Sequence, residues 1–316
     1  AKYNDEKEMI RYFEFEFIEE QELEGDIDWE RKAEDIQADG VIYAIVCENP
    51  EFIKEIKKRV LKSSQGCDRF IFIVPKKAIA IRKILQEFEA VSVLRDKAKE
   101  DIVLFEEYEV IYEDLRDVIS EFISGYTHPE EYKSSYIYNG EEKSILRKAA
   151  LTGLASDICF NIFYETPVIN NEAINKNEIT SIANNSRGKI LSGILRNVLE
   201  PNLGLTGTGQ EVSIMRSTLV RKGVLLDDEN GVRINLAPSD KLMKGVLDKI
   251  VSFIMDAQKK GTASFDQLYS VLTAPEYHIG IRRGVIPIYI AAVFHEYSED
   301  IILQNEHGQL PLSADT

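Results

Sequence analysis

The residues with the most evident capacity for chemistry are the glycines of Leu203-Gly204-Leu205-Thr206-Gly207-Thr208-Gly209-Gln210-Glu211, which run into a helical stretch. Free backbone N–H groups in such a loop can cradle a phosphate. A nucleotide-binding P-loop has the form GxxxxGK[ST] after a strand, whereas here no lysine follows any glycine and no strand is expected upstream. The run is therefore read as a turn that opens a helix. Arg282 and Arg283 are the candidate contacts to nucleic acid or to a protein partner, because they stand together ahead of a helix expected over 284–297. That helix carries Val285, Ile286, Ile288, Ile290, Ala291, Val293 and Phe294, so most of it has to lie in a core instead of a groove, and structural use is favoured. Lys54, Lys57, Lys58, Arg59 and Lys62 interleave with Glu51 and Glu55, which is the pattern of a solvated helix face.

No catalytic, cofactor-binding or metal-ligating residue is expected. His128, His278, His295 and His307 show no HExxH spacing, and His295-Glu296 has no second histidine four residues on. There is no GxSxG elbow for a hydrolase nucleophile. Cys47, Cys67 and Cys159 have no CxxC spacing, and Cys47 and Cys159 sit in apolar runs as small buried hydrophobes, which fits a reducing, cytoplasmic setting. Asn170-Asn171-Glu172 with Asn175-Lys176 is a polar knot suited equally to capping helices and to binding.

The elements that hold these residues follow from composition and pattern. With 316 residues, 44% hydrophobic and 29% charged, the chain is in the globular range and long enough for two or three cores. The net charge is −16, but 5 basic and 15 acidic side chains fall in the first 39 residues, so the excess is concentrated there. An acidic chain without a basic tract makes a poor free-standing DNA binder, although a small basic face is compatible with these numbers. No apolar run reaches the ~20 residues that a membrane-spanning helix needs. The start at Ala1-Lys2-Tyr3-Asn4, without an initiator Met or leader, and the stop after Leu310-Pro311-Leu312 both read as cuts inside a longer chain.

Residues 1–39 form an acidic N-terminal segment in which Phe13, Phe15 and Phe17 alternate as on a strand, while Ile10, Phe13 and Phe17 also fit a helix. Residues 40–98 read as an α/β subdomain: 41–46 and 69–74 are continuous apolar strands flanking a helix over 50–61, as a parallel βαβ unit requires. Residues 99–140 are a long helix and connector, with Leu104, Tyr108, Ile111, Leu115, Val118 and Phe122 as a heptad-like seam that needs a long partner. Residues 141–238 are a helical domain ending in a hairpin around Glu229-Asn230-Gly231, and 239–316 repeat the pattern around Glu306-His307-Gly308. In each case a helix runs into a hairpin, which makes both winged-helix-like. The fold class is α/β plus mainly α.

Thr166-Pro167-Val168-Ile169-Asn170-Asn171-Glu172-Ala173-Ile174-Asn175-Lys176, then Leu203-Gly204, Gly207 and Gly209-Gln210-Glu211, then Gly280-Ile281-Arg282-Arg283-Gly284-Val285-Ile286-Pro287 resemble the region downstream of the ATPase core in very large P-loop proteins of bacterial phage-defence islands, the BREX-type BrxC- and PglY-like ATPases. Lys176 stands where the family is expected to have Arg, and Gln210 where it has Pro. The resemblance covers about residues 30–316. It implies a non-catalytic scaffold or regulatory segment of such an ATPase, with the P-loop, ATP and Mg outside this chain. The implied partners are other domains of the parent ATPase and other defence-system proteins, with weak DNA contact as the alternative winged-helix role and no membrane. Its signature positions specify fold, and no catalytic residue carries over.

Overall fold

The computed structural model describes residues 2–23, 25, 27–34 and 36–314. Residue 1 and residues 315–316, the outer ends of the first and last expected segments, lie outside the described residues. The five expected segments are grouped into two compact units: a sheet unit, Arg11–Ile158, and a helical unit, Ala1–Ile10 with Cys159–Thr316.

In chain order, α1 (Lys2–Lys7) belongs to the helical unit. The sheet unit follows with β1 (Phe13–Glu19), α2 (Trp29–Glu34), β2 (Gly40–Val46), α3 (Ile53–Ser63), β3 (Phe70–Pro75), α4 (Ile81–Lys97), α5 (Ile102–Thr127), β4 (Ser134–Tyr138) and β5 (Glu141–Lys143). After α6 (Lys148–Ile162) the helical unit continues through α7 (Ser181–Ile194), α8 (Gln210–Met215), β6 (Leu225–Asp228), β7 (Gly231–Ile234), α9 (Lys241–Lys260), α10 (Phe265–Thr273), α11 (Ile286–Glu296), β8 (Leu303–Asn305) and β9 (Gly308–Leu310).

The five strands of the sheet unit form one mixed sheet in the order β1-β2-β3-β4-β5. The β1–β2 and β2–β3 pairs are parallel, and β3–β4 and β4–β5 are antiparallel. The central strands are apolar throughout because both faces are covered. On one face Val41, Tyr43, Ile45, Phe70 and Phe72 pack with Trp29, Ile56 and Val60, and on the other Ala44 and Ile73 pack with Ile81, Phe122 and Tyr126. The ambiguous Phe13–Phe17 run is a strand. It pairs in parallel with β2, and on its exposed side the Phe17 ring lies 5.9 Å from Phe122 and 5.4 Å from Tyr126 of α5. Gly40 permits this pairing, since a Cβ there would stand 2.4 Å from the Phe13 ring and 2.7 Å from the Arg69 carbonyl oxygen.

The long helix exists, but its buried stripe differs from the expected seam. Tyr108, Leu115 and Phe122 face inward as expected, whereas Leu104, Ile111 and Val118 are exposed at 39%, 44% and 41%. Phe105, Tyr112 and Ile119 take the inward places. The partner is α4 of the same chain, with Phe88 stacked on Tyr112 at 4.6 Å and the Arg95 guanidinium 3.9 Å above the same ring. Two overlapping 3/4 stripes are apolar on α5, and packing against α4 selects one of them.

The helical unit has a single core. Ile169, Ile190, Val212, Leu219, Leu225, Ile234, Leu247, Leu272 and nearly every residue of α11 belong to one buried cluster. The expected boundary at 238/239 therefore separates no cores, and both hairpins lean on the same one through Leu225 and Ile234 and through Ile301, Leu303 and Leu312. Ile302, apolar like its neighbours Ile301 and Leu303, is nevertheless 69% exposed. Both hairpins exist and close in the same way. Asp228 Oδ1 accepts from Asn230 N and Asn305 Oδ1 from His307 N, each at 2.9 Å, as in Asx-turns. Gly231 (φ 89°) and Gly308 (φ 128°) follow as the first residues of the second strands. The glycine thus closes each turn; it is not one of the two central residues, as an Asn-Gly turn would have it.

Candidate functional site

Immediately after α8 the chain forms a π-helical turn, Arg216–Val220, in which Arg221 N donates to Arg216 O at 2.9 Å. The sequence builds this wide turn with side-chain donors. Ser217 Oγ is shared between the carbonyls of Ser213 and Ile214, each at 3.0 Å, and Thr218 Oγ1 donates to Ile214 O at 2.7 Å. From the core, Tyr289 OH donates to Thr218 O at 3.2 Å. These hydroxyls occupy carbonyls that a regular ladder would pair, which makes the local widening tolerable. Burial raises the Tyr289 phenol far above its ordinary pKa, so it remains a donor.

The turn has a geometric effect. Residues five apart on a regular α-helix point about 140° away from each other. Here Arg216 and Arg221 line the same cavity, of about 170 Å³, with Asn170, Thr208, Val212, Ser213 and Ser217. Neither arginine makes an ion pair or hydrogen bond through its side chain among the described residues, and both are exposed. The lining carries no carboxylate. Glu211, on α8, is held by Lys189 at 2.8 Å, and that hydrogen bond lowers its pKa. The cavity therefore offers two guanidinium groups together with amide and hydroxyl groups, a donor set suited to an oxyanion.

Thr208, from the glycine-rich loop, is part of this site, but the arginines that dominate it were not singled out from the sequence. In Arg216-Ser217-Thr218-Leu219-Val220-Arg221, a spacing of five reads as two different helix faces. The usable signal is the adjacent Ser217-Thr218 pair, whose hydroxyls compete for backbone carbonyls.

Arg282 and Arg283 are not a surface pair. Arg282 is 8% exposed and donates through Nη2 to the Ile10 carbonyl, so its chemistry is spent on the chain itself. Arg283 is exposed, with its backbone N bonded to Asn177 Oδ1 at 3.3 Å. The two stretches around Thr166–Lys176 and Gly280–Pro287 form one knot. Thr166 Oγ1 donates to Ile279 O, and Gly284 N donates to Lys176 O at 2.8 Å. This knot holds the first residues of the chain. Tyr3 OH donates to Thr166 Oγ1 at 3.2 Å, Lys7 Nζ to Thr166 O at 2.8 Å, and Asn175 Nδ2 to both Glu8 O and Ile169 O at 3.0 Å.

Elsewhere, Ser124 Oγ lies 3.3 Å from His128 Nδ1, but Ser124 itself donates to Glu131. A hydrolase relay requires the carboxylate on the imidazole, and this one is on the serine. The His278 ring stacks on Tyr164 at 4.5 Å, with Nδ1 2.9 Å from Ile162 O. The Cys47 thiol is buried, which pushes its pKa up to about 12. The basic helix α3 spends Arg59 on Glu55 at 3.1 Å and Lys57 on Glu142 at 2.8 Å. Among the described residues no group of three or more His, Cys, Asp or Glu could hold a metal, and no helix is long and apolar enough to cross a membrane. No family model, curated protein or solved structure matches this chain.

Proposed function

We propose that this chain is a non-catalytic scaffold or regulatory segment of a large bacterial P-loop ATPase of the phage-defence type, acting in the cytoplasm, with ATP and Mg bound elsewhere in the parent protein. The observation that carries the reading is the use made of the residues that resemble that family. Thr166, Asn175, Arg282 and Gly284 are spent on backbone carbonyls and close packing, and they join stretches more than 100 residues apart. Motifs built in this way are architectural, and their value to a larger machine is a rigid body that other domains or defence proteins hold. Incubating the chain with ATP and Mg is the test. No hydrolysis is expected, and turnover that survives purification to homogeneity overturns the reading.

A second reading, a winged-helix nucleic-acid module, is favoured by one observation: two hairpins with the same turn chemistry on one helical core, and an exposed Arg283 ahead of α11. It predicts weak binding to duplex DNA that falls steeply with salt and is reduced by Arg283→Glu. Arg282 is the wrong residue for this test, since its loss disturbs the fold. Absence of a gel shift at low salt, or an unchanged shift with Arg283→Glu, removes the reading.

A further inference from the structure

We infer that the cavity beside the π-helical turn is a binding site for a phosphate oxyanion, as free phosphate or as a phosphomonoester. The inference deepens the scaffold reading by giving the helical unit a ligand, and it rests on that reading only for its biological setting. Three observations carry it. First, the site presents two guanidinium groups without partners among the described residues, in a chain that has 54 acidic side chains against 38 Lys and Arg. Carboxylates are abundant, and several other arginines have found one: Arg59 with Glu55, Arg82 with Glu19, Arg196 with Glu200 and Arg233 with Asp228. Arg216 and Arg221 face a cavity whose lining contains no acid at all.

Second, their convergence comes from an irregular turn. A regular helix through this segment would point the two side chains about 140° apart. The i→i+5 bond from Arg221 N to Arg216 O brings them to one cavity, and buried hydroxyls from Ser217, Thr218 and Tyr289 hold that turn open. Single-turn π insertions of this kind concentrate at functional sites. Third, the remaining lining matches a tetrahedral anion. Thr208 and Ser213 bring hydroxyls and Asn170 an amide, and guanidinium forks prefer phosphate oxygens in paired contacts. At about 170 Å³ the cavity holds several water volumes, enough for a phosphate group that exchanges its hydration shell for these donors.

The experiment is calorimetric or NMR titration of the whole chain with inorganic phosphate and, separately, with adenosine 5′-monophosphate, in chloride buffer of constant ionic strength. Saturable binding of phosphate is expected, weakened at least about tenfold by Arg216→Ala and by Arg221→Ala, as loss of a charge-assisted bidentate contact implies. Arg147→Ala removes an exposed positive charge elsewhere and must leave binding unchanged. Both pocket arginines are exposed, so melting temperatures of the variants should match the parent and report that the fold is intact. Equal affinity for the two probes identifies a site that takes phosphomonoesters, and binding of phosphate alone identifies a free-anion site; either supports the inference. It is overturned if neither probe saturates by about 10 mM, or if Arg216→Ala and Arg221→Ala bind as the parent does. Neither of those results touches the hydrolysis test of the scaffold reading.

Discussion

The helical unit uses polar side chains in two opposite ways. In the knot, Thr166, Asn175 and Arg282 turn inward, lose their water and bond to main-chain carbonyls of Ile279, Glu8, Ile169 and Ile10. In the cavity beside the π-helical turn, Arg216 and Arg221 keep their charges in solvent and bond to nothing in their own chain among the described residues. The first group ties distant stretches of the chain together and directs its donors at the chain's own main chain. The second contributes little to the fold and keeps its valence. The residues on which the proposed family reading rests lie mainly in the first group, so a reading carried by glycines and buried amides speaks to architecture and passes over the cavity.

The contrast predicts a ranking of effects. Gly284→Ala is the severest break: its Cβ would stand 2.1 Å from Ile174 O and 2.8 Å from Lys176 O, both main chain and unable to yield. A loss of about 3 kcal/mol or more is expected in urea unfolding, or no soluble folded protein at all. Asn175→Ala comes next. It removes two bonds from a side chain 3% exposed and leaves the Glu8 and Ile169 carbonyls without this donor, for about 1–3 kcal/mol. Limited proteolysis should then cut within residues 2–10 before it cuts the core. If residues 2–10 stay protected, the knot does not hold them.

Gly231→Val and Gly308→Val should each cost about 1 kcal/mol, because a β-branched residue resists positive φ while the space around each glycine is open. Unchanged melting in both variants would show that the hairpins close differently. The smallest effect sharpens the comparison from the other side. Arg233 is an arginine already spent, bound to both oxygens of Asp228 at 2.7 and 2.8 Å. That pairing, helped by Asn230 N, lowers the Asp228 pKa to about 2. Its contribution to stability is present above the ordinary carboxylate range and is lost as pH falls through about 2; at this fully exposed site it is slight and screened by salt. An NMR titration of Asp228 should find that low midpoint, and Arg233→Ala should raise it towards the ordinary carboxylate range, with the Asn230 N bond still holding it below.

Legibility in the sequence followed how local the deciding interactions were. The strands β2 and β3 could be read because a run such as Val41–Val46 is apolar without interruption, and both hairpins because their turn residues are consecutive. The face of α5 could not, because Leu104, Ile111 and Val118 are as apolar as Phe105, Tyr112 and Ile119, and only contact with α4 decides between them. The single core of the helical unit was hidden for the same reason: helix–hairpin patterns repeat locally, while the cluster that unites them joins Ile169 to Phe294. The cavity was hidden by helical periodicity itself. A reader who assumes a regular helix places Arg216 and Arg221 on different faces.

The clamp on the first residues has a consequence for the order in which the molecule is made. Tyr3 and Lys7 wait for a partner 163 and 159 residues away, Glu8 for one 167 residues away, and Ile10 for Arg282, 272 residues later. At about 5–20 residues per second, a ribosome reaches Arg282 roughly 15–50 s after it has passed Ile10. Every strand of the five-stranded sheet is complete by Lys143, so that sheet can close while the opening segment is still unattached. Residues 2–10 are thus fixed only after the far longer stretch that follows them has been made, and during that interval a chaperone or a neighbouring domain has access to them that the finished protein withdraws.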